Sequence, residues 1–267
     1  LNVALQDIHM ERWWWAERRS TIRTNPPYTT GTVDVAITNL TTRRTVTGTS
    51  TLWTTTNTFG DANAVAGYKM TLSGDGIVYL VGTVGSATSI TLDSTTPYTG
   101  ASALDDASYA IYQDEYAVAS DFDDVGDVRF FDEDRKIQLI GPQEFYRRYP
   151  RNSVRSSPKF ATLIELGPSA SVALRRRALL GPAPDKTYII PYRYYTTNLA
   201  TSSTGTAQAG MSAAADEPII PIRFRQAIVY KAHELWYSDR KDDTRSGEAK
   251  SRYETLMLRA RAAKSAA

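Results

Sequence analysis

The chain has 267 residues, 42% hydrophobic and 22% charged, ordinary proportions for a protein that folds around a buried core. It has no cysteine, which excludes disulfide frameworks, cysteine-held zinc, thiol nucleophiles and iron–sulfur clusters, and two histidines, His9 and His233, leave little for a multi-histidine metal site or a His-based triad. The net charge of +2 hides a segregation: residues 108–134 carry nine acids and one base, and residues 135–215 carry twelve bases and three acids. Blocks of that kind pair within one chain or between copies of it. No run of about 18 apolar residues is present to cross a bilayer, and no membrane partner is expected.

Residues 1–24 read as a helix, with Leu1, Leu5, Ile8, Arg12, Trp15 and Ile22 roughly on one face and Asn25-Pro26-Pro27 as its stop. The segment has no signal-peptide core and does not begin with Met, so the chain reads as processed or as lacking its start. Trp13, Trp14 and Trp15 on one helix would cover about 200° of its circumference. Either two enter the core while one lies on the surface, or the helix is contacted both by its own domain and by a neighbouring subunit.

From Thr29 to Tyr112 the composition turns to Thr, Val, Gly and Ser, which suit a half-solvated pleat. Gly31–Ile37 and Thr45–Thr49 form an expected hairpin around Asn39 and Thr41–Arg44. Tyr68–Leu72 and Ile77–Val84 form a second around Ser73-Gly74-Asp75-Gly76, and Ile90–Leu92 and Tyr109–Tyr112 add further strands. About six short strands at this spacing predict a small antiparallel barrel or sandwich.

Beyond it, Asp127–Phe131, Lys136–Ile140, Val172–Leu174 and Tyr188–Tyr195 read as strands, the last at an edge or bulge because of Pro191. Pro142 opens a short helix to Tyr149. Leu199–Ala215, rich in Ala, Ser, Thr and Gly, reads as a long loop or arm. Phe224, Ile228, Lys231, Leu235 and Trp236 mark a helix, Arg240–Gly247 a break, and Tyr253, Leu256 and Met257 a second helix. The basic tail 259–267 is too poor in apolar residues to pack by itself.

No motif for catalysis stands out. Asp121, Asp123, Gly126 and Asp132 mimic a calcium loop, but Val125 supplies no oxygen, Asp132 replaces the usual Glu and strands are expected on both sides. The same acids could supply paired carboxylates for glycoside chemistry, with nothing in the sequence to set their separation. Phosphate-cradling, dinucleotide, zincin and nucleophile-elbow motifs are missing, so the chain reads as a non-enzyme with no cofactor and no metal. Arg147, Arg148, Arg151, Arg155, Lys159, Arg175, Arg176 and Arg177, interleaved with Tyr146 and Tyr149, suit phosphate and base contacts if they share a surface.

Taken in order, the Trp-rich start, the segment TTGTVDVAITNLTTRRTVTGTSTLW, then YAIYQDEYAVASDF, IGPQEFYRRYP, APDKTYIIPYRYY and IPIRFRQAIVYKAHELWY are a specific combination. It resembles the head-to-tail adaptor (connector) proteins of tailed bacteriophages that carry a β-barrel inserted in a helical domain. The resemblance implies an α+β fold: a helical domain from residues 1–28 and 216–267, an inserted barrel at 29–112, and a β-rich region with a long arm at 113–215. It further implies a structural virion protein at the head–tail junction, assembled in the host cytoplasm. There it would form a homo-oligomeric, commonly dodecameric ring between the portal protein and a tail nozzle or tail tube protein. Double-stranded DNA would pass through the lumen without sequence-specific binding, during packaging and ejection.

On this resemblance Arg259, Arg261 and Lys264 form a portal-binding tail that orders on docking. Trp13, Trp14, Trp15 and Trp236 gain partners from neighbouring subunits. A head-to-tail ring needs two different complementary patches on each chain. Arg175, Arg176 and Arg177 are candidates for one, and Asp121, Asp123, Asp124 and Asp127 for the other, unless these aspartates face the lumen. A different class of reading is a β-rich tail or surface module binding carbohydrate on Trp53, Tyr68 and Tyr98. A third is a hydrolase built on Asp121 and Asp123.

Overall fold

In the computed structural model of the chain, residues 1–73, 75–125, 130–132, 135–166 and 175–265 are described. Asp127, Gly126 and the strand expected over Val172–Leu174 lie outside them. Among the described residues the fold is mixed α+β, with five α-helices and several sheets, one of them a curled half-barrel.

Helix α1 spans only Asn2–His9. The single helix expected to Thr24 does not form: Arg12 adopts a left-handed φ of 54°, Trp14–Ala16 make one 3-10 turn, and Glu17–Arg23 run on as strand β1. The break relieves the geometric conflict of three consecutive tryptophans, because it turns Trp13 and Trp15 to the same side, stacked parallel with centroids 4.7 Å apart. The β-branched pair Thr21 and Ile22 then suits a strand.

The half-barrel comprises β2 (Thr32–Val35), β3 (Thr45–Thr49), β4 (Lys69–Leu72), β5 (Val78–Ser86), β6 (Ser89–Leu92), β7 (Leu104–Ala107) and β8 (Tyr109–Tyr112). They form one antiparallel sheet in the order β7-β2-β3-β6-β5-β4-β8. Alternate residues of β2, β3, β4 and β6 point inward, giving a core of Val33, Val46, Met70, Tyr79, Ile90 and Leu92 around Trp53. The β2–β3 connection is a five-residue helix, α2 (Leu40–Arg44), where a turn was expected. Asn39 starts it with a capping box: its Oδ1 accepts from Thr42 N–H at 3.0 Å and Thr42 Oγ1 accepts from Asn39 N–H at 3.0 Å. Strand β7, Leu-Asp-Asp-Ala, has no β-forming composition and was not expected. Its pairing with Val33 and Val35, and the Asp106 N–H donated to Asp34 Oδ1 at 2.8 Å, hold it in the sheet.

Next come β9 (Glu115–Ala117), β10 (Phe122–Asp124), β11 (Phe130–Asp132), β12 (Arg135–Leu139), α3 (Pro142–Arg148), β13 (Phe160–Leu166) and β14 (Arg175–Gly181). A second sheet runs β11-β12-β13-β14-β9, parallel only between β12 and β13. Pro142 occupies the first turn of α3 as expected. Phe145 of α3 is fully buried against Gly181, where a Cβ would come within 2.8 Å of its ring, so the close approach requires glycine. Strand β15 (Ile189–Thr196) lies between β1 and β10 and is not an edge strand, yet its ladder with β10 covers only Tyr195 and Thr196, leaving Pro191 clear of it. The expected arm at 199–215 instead contributes β16 (Ala200–Thr201) and β17 (Ala207–Gln208) to a small sheet with β18 (Glu217–Pro218). In it the Asp216 carboxylate accepts from the backbone N–H of Ser212 at 2.6 Å and of Ala213 at 2.7 Å. Helices α4 (Gln226–Asp239) and α5 (Asp243–Ser265) complete the chain.

The chain divides into two units. One consists of Leu1–Arg19, Ala119–Val128 and Arg193–Ala267 and contains α1, α4 and α5 around Leu5, Ile8, Trp13, Trp15, Phe224 and Ile228. The other consists of Ser20–Val118 and Arg129–Tyr192 and contains the half-barrel and the second sheet.

Candidate functional site

In the helical unit, α4 packs on both α1 and α5. Ala227 and Ile228 face inward onto Tyr253, Met257 and Ala260 of α5, and a left-handed Lys241 (φ 58°) makes the break between the two helices. The outward side is unusually apolar. Ile222 is 80% exposed and Trp236 55%, with Val229 also at the surface. Val229 and Trp236 are seven residues apart, two turns of helix, and share a face. The Arg240 guanidinium lies 4.1 Å above the Trp236 ring, which holds the indole flat beside a fixed charge. Ile222 was not singled out from the sequence, and it lies in the 3-10 turn Ile222–Phe224 ahead of α4, outside any helical period.

Trp13 and Trp15 are buried in this unit's own core, Trp15 stacking on Phe224 at 6.2 Å. Trp14 is half-buried, edge-on to Trp15. Of the four candidate tryptophans, only Trp236 presents an open face.

The tail is helical to Ser265. Ala260 is fully buried, Arg261 donates to Glu11 Oε2 at 2.8 Å and lies over the Trp13 ring, and Tyr253 Oη donates to Glu11 Oε1 at 3.3 Å. The tail packs through small residues: an alanine methyl buried on a helix needs no apolar stripe beyond it. Arg259 remains exposed, and Lys264 lies in the last turn of α5. Deleting 259–267 removes a core contact and an ion pair, and is expected to cost about 1–2 kcal/mol and lower Tm by a few degrees in calorimetry. An unchanged Tm would place the tail outside the core.

Two of the acidic candidates, Asp121 and Asp124, are engaged within the chain. Asp121 accepts from Tyr194 Oη at 2.8 Å, Thr196 Oγ1 at 2.6 Å and Asn198 Nδ2 at 3.3 Å, fastening β10 to β15. Burial is the largest single influence and pushes its pKa up. Hydrogen bonds to the ionised carboxylate from Thr196, Tyr194 and Asn198 outweigh it, and the pKa falls below the ordinary value. Asp124 is ion-paired with Arg12. Asp123 follows Phe122 in strand β10, so the calcium-loop pattern begins as strand, and no metal-holding cluster of acids or histidines occurs among the described residues.

The basic run is dispersed as well. Arg175 opens β14, and Arg176 donates from Nε to Glu165 Oε1 on β13 at 3.0 Å. Its neighbour Arg177, on the opposite face of the strand, lines a cavity of about 230 Å³ with Tyr68, Gln113, Asp114 and Glu115. Burial, reinforced by the charge of Asp114, raises the Glu115 pKa. The proposed carbohydrate platforms are interior: Trp53 and Tyr98 are core residues and Tyr68 is half-buried. No protein-family model, curated protein or solved structure matches this chain.

Proposed function

We propose that this chain is a structural virion protein, the subunit of an adaptor ring that joins a phage portal to its tail and continues the DNA channel. The observation that carries the reading is that both chain ends contribute to one helical core while the half-barrel lies in the chain between them. In this reading the half-barrel is the inserted barrel of the adaptor family, and the protein has no catalytic role. Its partners are the portal protein, a tail nozzle or tail tube protein, and further copies of itself.

A closed head-to-tail ring requires each copy to present a patch that a different patch on its neighbour covers. The exposed Val229 and Trp236 of α4 form the apolar patch of the subunit contact, with Trp236 its anchor, as aromatic side chains commonly are at interfaces. The test is the mass of the protein mixed with its cognate portal ring, beside each component alone. A complex with about one copy per portal subunit is expected. Trp236→Glu is expected to abolish that complex and leave Tm unchanged, since the ring is exposed in the single chain. A chain that stays monomeric and binds no portal overturns the reading.

A further inference from the structure

The basic residues of the 142–160 segment have no part in the subunit contact proposed above. Between Pro142 and Phe160 the chain carries Arg147, Arg148, Arg151, Arg155 and Lys159 against a single acid, Glu144. All five are exposed, as is Tyr146. Arg176 belongs to a different place. Phe160 pairs with Gly181 in β14, and Arg176 lies five residues up that strand, about 17 Å away at the usual strand rise.

The five cations are displayed by fixed backbone. Phe145 anchors α3 in the core. The segment after it is tied to the end of β14 and the residues beyond: Val154 C=O accepts from Ala183 N–H at 3.0 Å, Ser156 N–H donates to Ala183 C=O at 2.9 Å, and Lys159 N–H donates to Gly181 C=O at 2.9 Å. Arg151 donates to Gly76 C=O at 3.0 Å, Arg148 is ion-paired with Glu144 and lies 4.5 Å over the Phe160 ring, and Arg155 lies over Tyr112. Charges held this way lose little freedom when a ligand binds.

We infer that this surface contacts the sugar–phosphate backbone of duplex DNA. Four of the five cations are arginines, whose planar fork matches phosphate oxygens, and the exposed Tyr146 adds a hydroxyl-bearing side chain for a further backbone contact. No base-reading element accompanies them, so binding is independent of sequence. An acidic protein segment would meet the same charges, but it lacks the dense counterion atmosphere whose release drives binding to a duplex. The inference rests on the adaptor reading only for the origin of the duplex, in the channel of the ring.

The test uses the full chain and a fluorescein-labelled 30-base-pair duplex, read by anisotropy over a KCl series. A log–log slope of about −4 is expected from four phosphate contacts, those of Arg147, Arg151, Arg155 and Lys159. Arg147→Gln, Arg155→Gln and Lys159→Gln together are expected to flatten the slope by about 3 and to weaken binding at least about tenfold at 0.1 M KCl. Arg176→Gln alone is expected to change neither. Trp236→Glu is expected to bind duplex like the parent, so a failure of ring assembly and a failure of DNA contact are told apart. An unchanged slope in the triple variant overturns the assignment. So does equal loss on Arg176→Gln, or poly-glutamate of equal charge binding as tightly as the duplex.

Discussion

Trp53→Ala is expected to destabilise the unit that contains the half-barrel by about 3–5 kcal/mol, the range for removing a large aromatic from a packed interior. Trp53 is fully buried, and its Nε1–H donates to Tyr109 Oη at 3.0 Å across an edge-on ring contact. The sheet is shaped around it: a Cβ on Gly48 of β3 would lie 2.8 Å from the far edge of the indole. Tyr109 keeps a partner in the variant, since its own hydroxyl donates to Thr30 C=O at 2.6 Å. The cost is therefore mainly cavity and lost contact, and Trp53→Phe should retain most of the stability. Urea unfolding followed by far-UV circular dichroism measures both. A loss below about 1 kcal/mol for the alanine variant would be the cost of a surface substitution and would place the ring outside the core.

Asp114→Ala is expected to cost about as much, roughly 3–5 kcal/mol, for an electrostatic reason. The Asp114 carboxylate is 3% exposed and accepts from Lys69 Nζ at 2.5 Å and Asn152 Nδ2 at 2.6 Å. It joins β4 of the half-barrel to the segment after α3, where Asn152 also donates to Leu180 C=O at 2.8 Å. Removing the carboxylate takes from the Lys69 ammonium, itself only 18% exposed, its ion-pair partner, and from Asn152 Nδ2 one of its two acceptors. Adding Lys69→Met should restore most of the loss, because a buried pair replaced at both ends leaves no isolated charge. Additive losses in the double variant would mean that the two side chains act independently.

Much of the fold is legible along the chain. The alternation of Val33, Val35, Val46, Met70, Leu72, Ile90 and Leu92 with polar residues announces strands with one buried face, and Pro142 announces the start of α3. The absence of cysteine excludes thiol, disulfide and iron–sulfur chemistry, and two histidines leave little for a multi-histidine metal site. These signals are local, since each depends on a residue and its near neighbours.

The misread elements share the opposite property. Residues 1–24 have the spacing of a helix, but stacking Trp13 on Trp15 against Phe224 requires the chain to break at Arg12. The 199–215 stretch has no apolar period, and its order comes from pairing with Glu217–Pro218 and from the Asp216 carboxylate. Arg12 meets Asp124 across 112 positions, and Arg261 meets Glu11 across 250. The sequence by itself determined where strands and helices could form and which chemistries were unavailable. The tertiary structure decided which charges and tryptophans remained for partners, because a side chain's exposure depends on residues brought to it from elsewhere in the chain, and no local pattern records them.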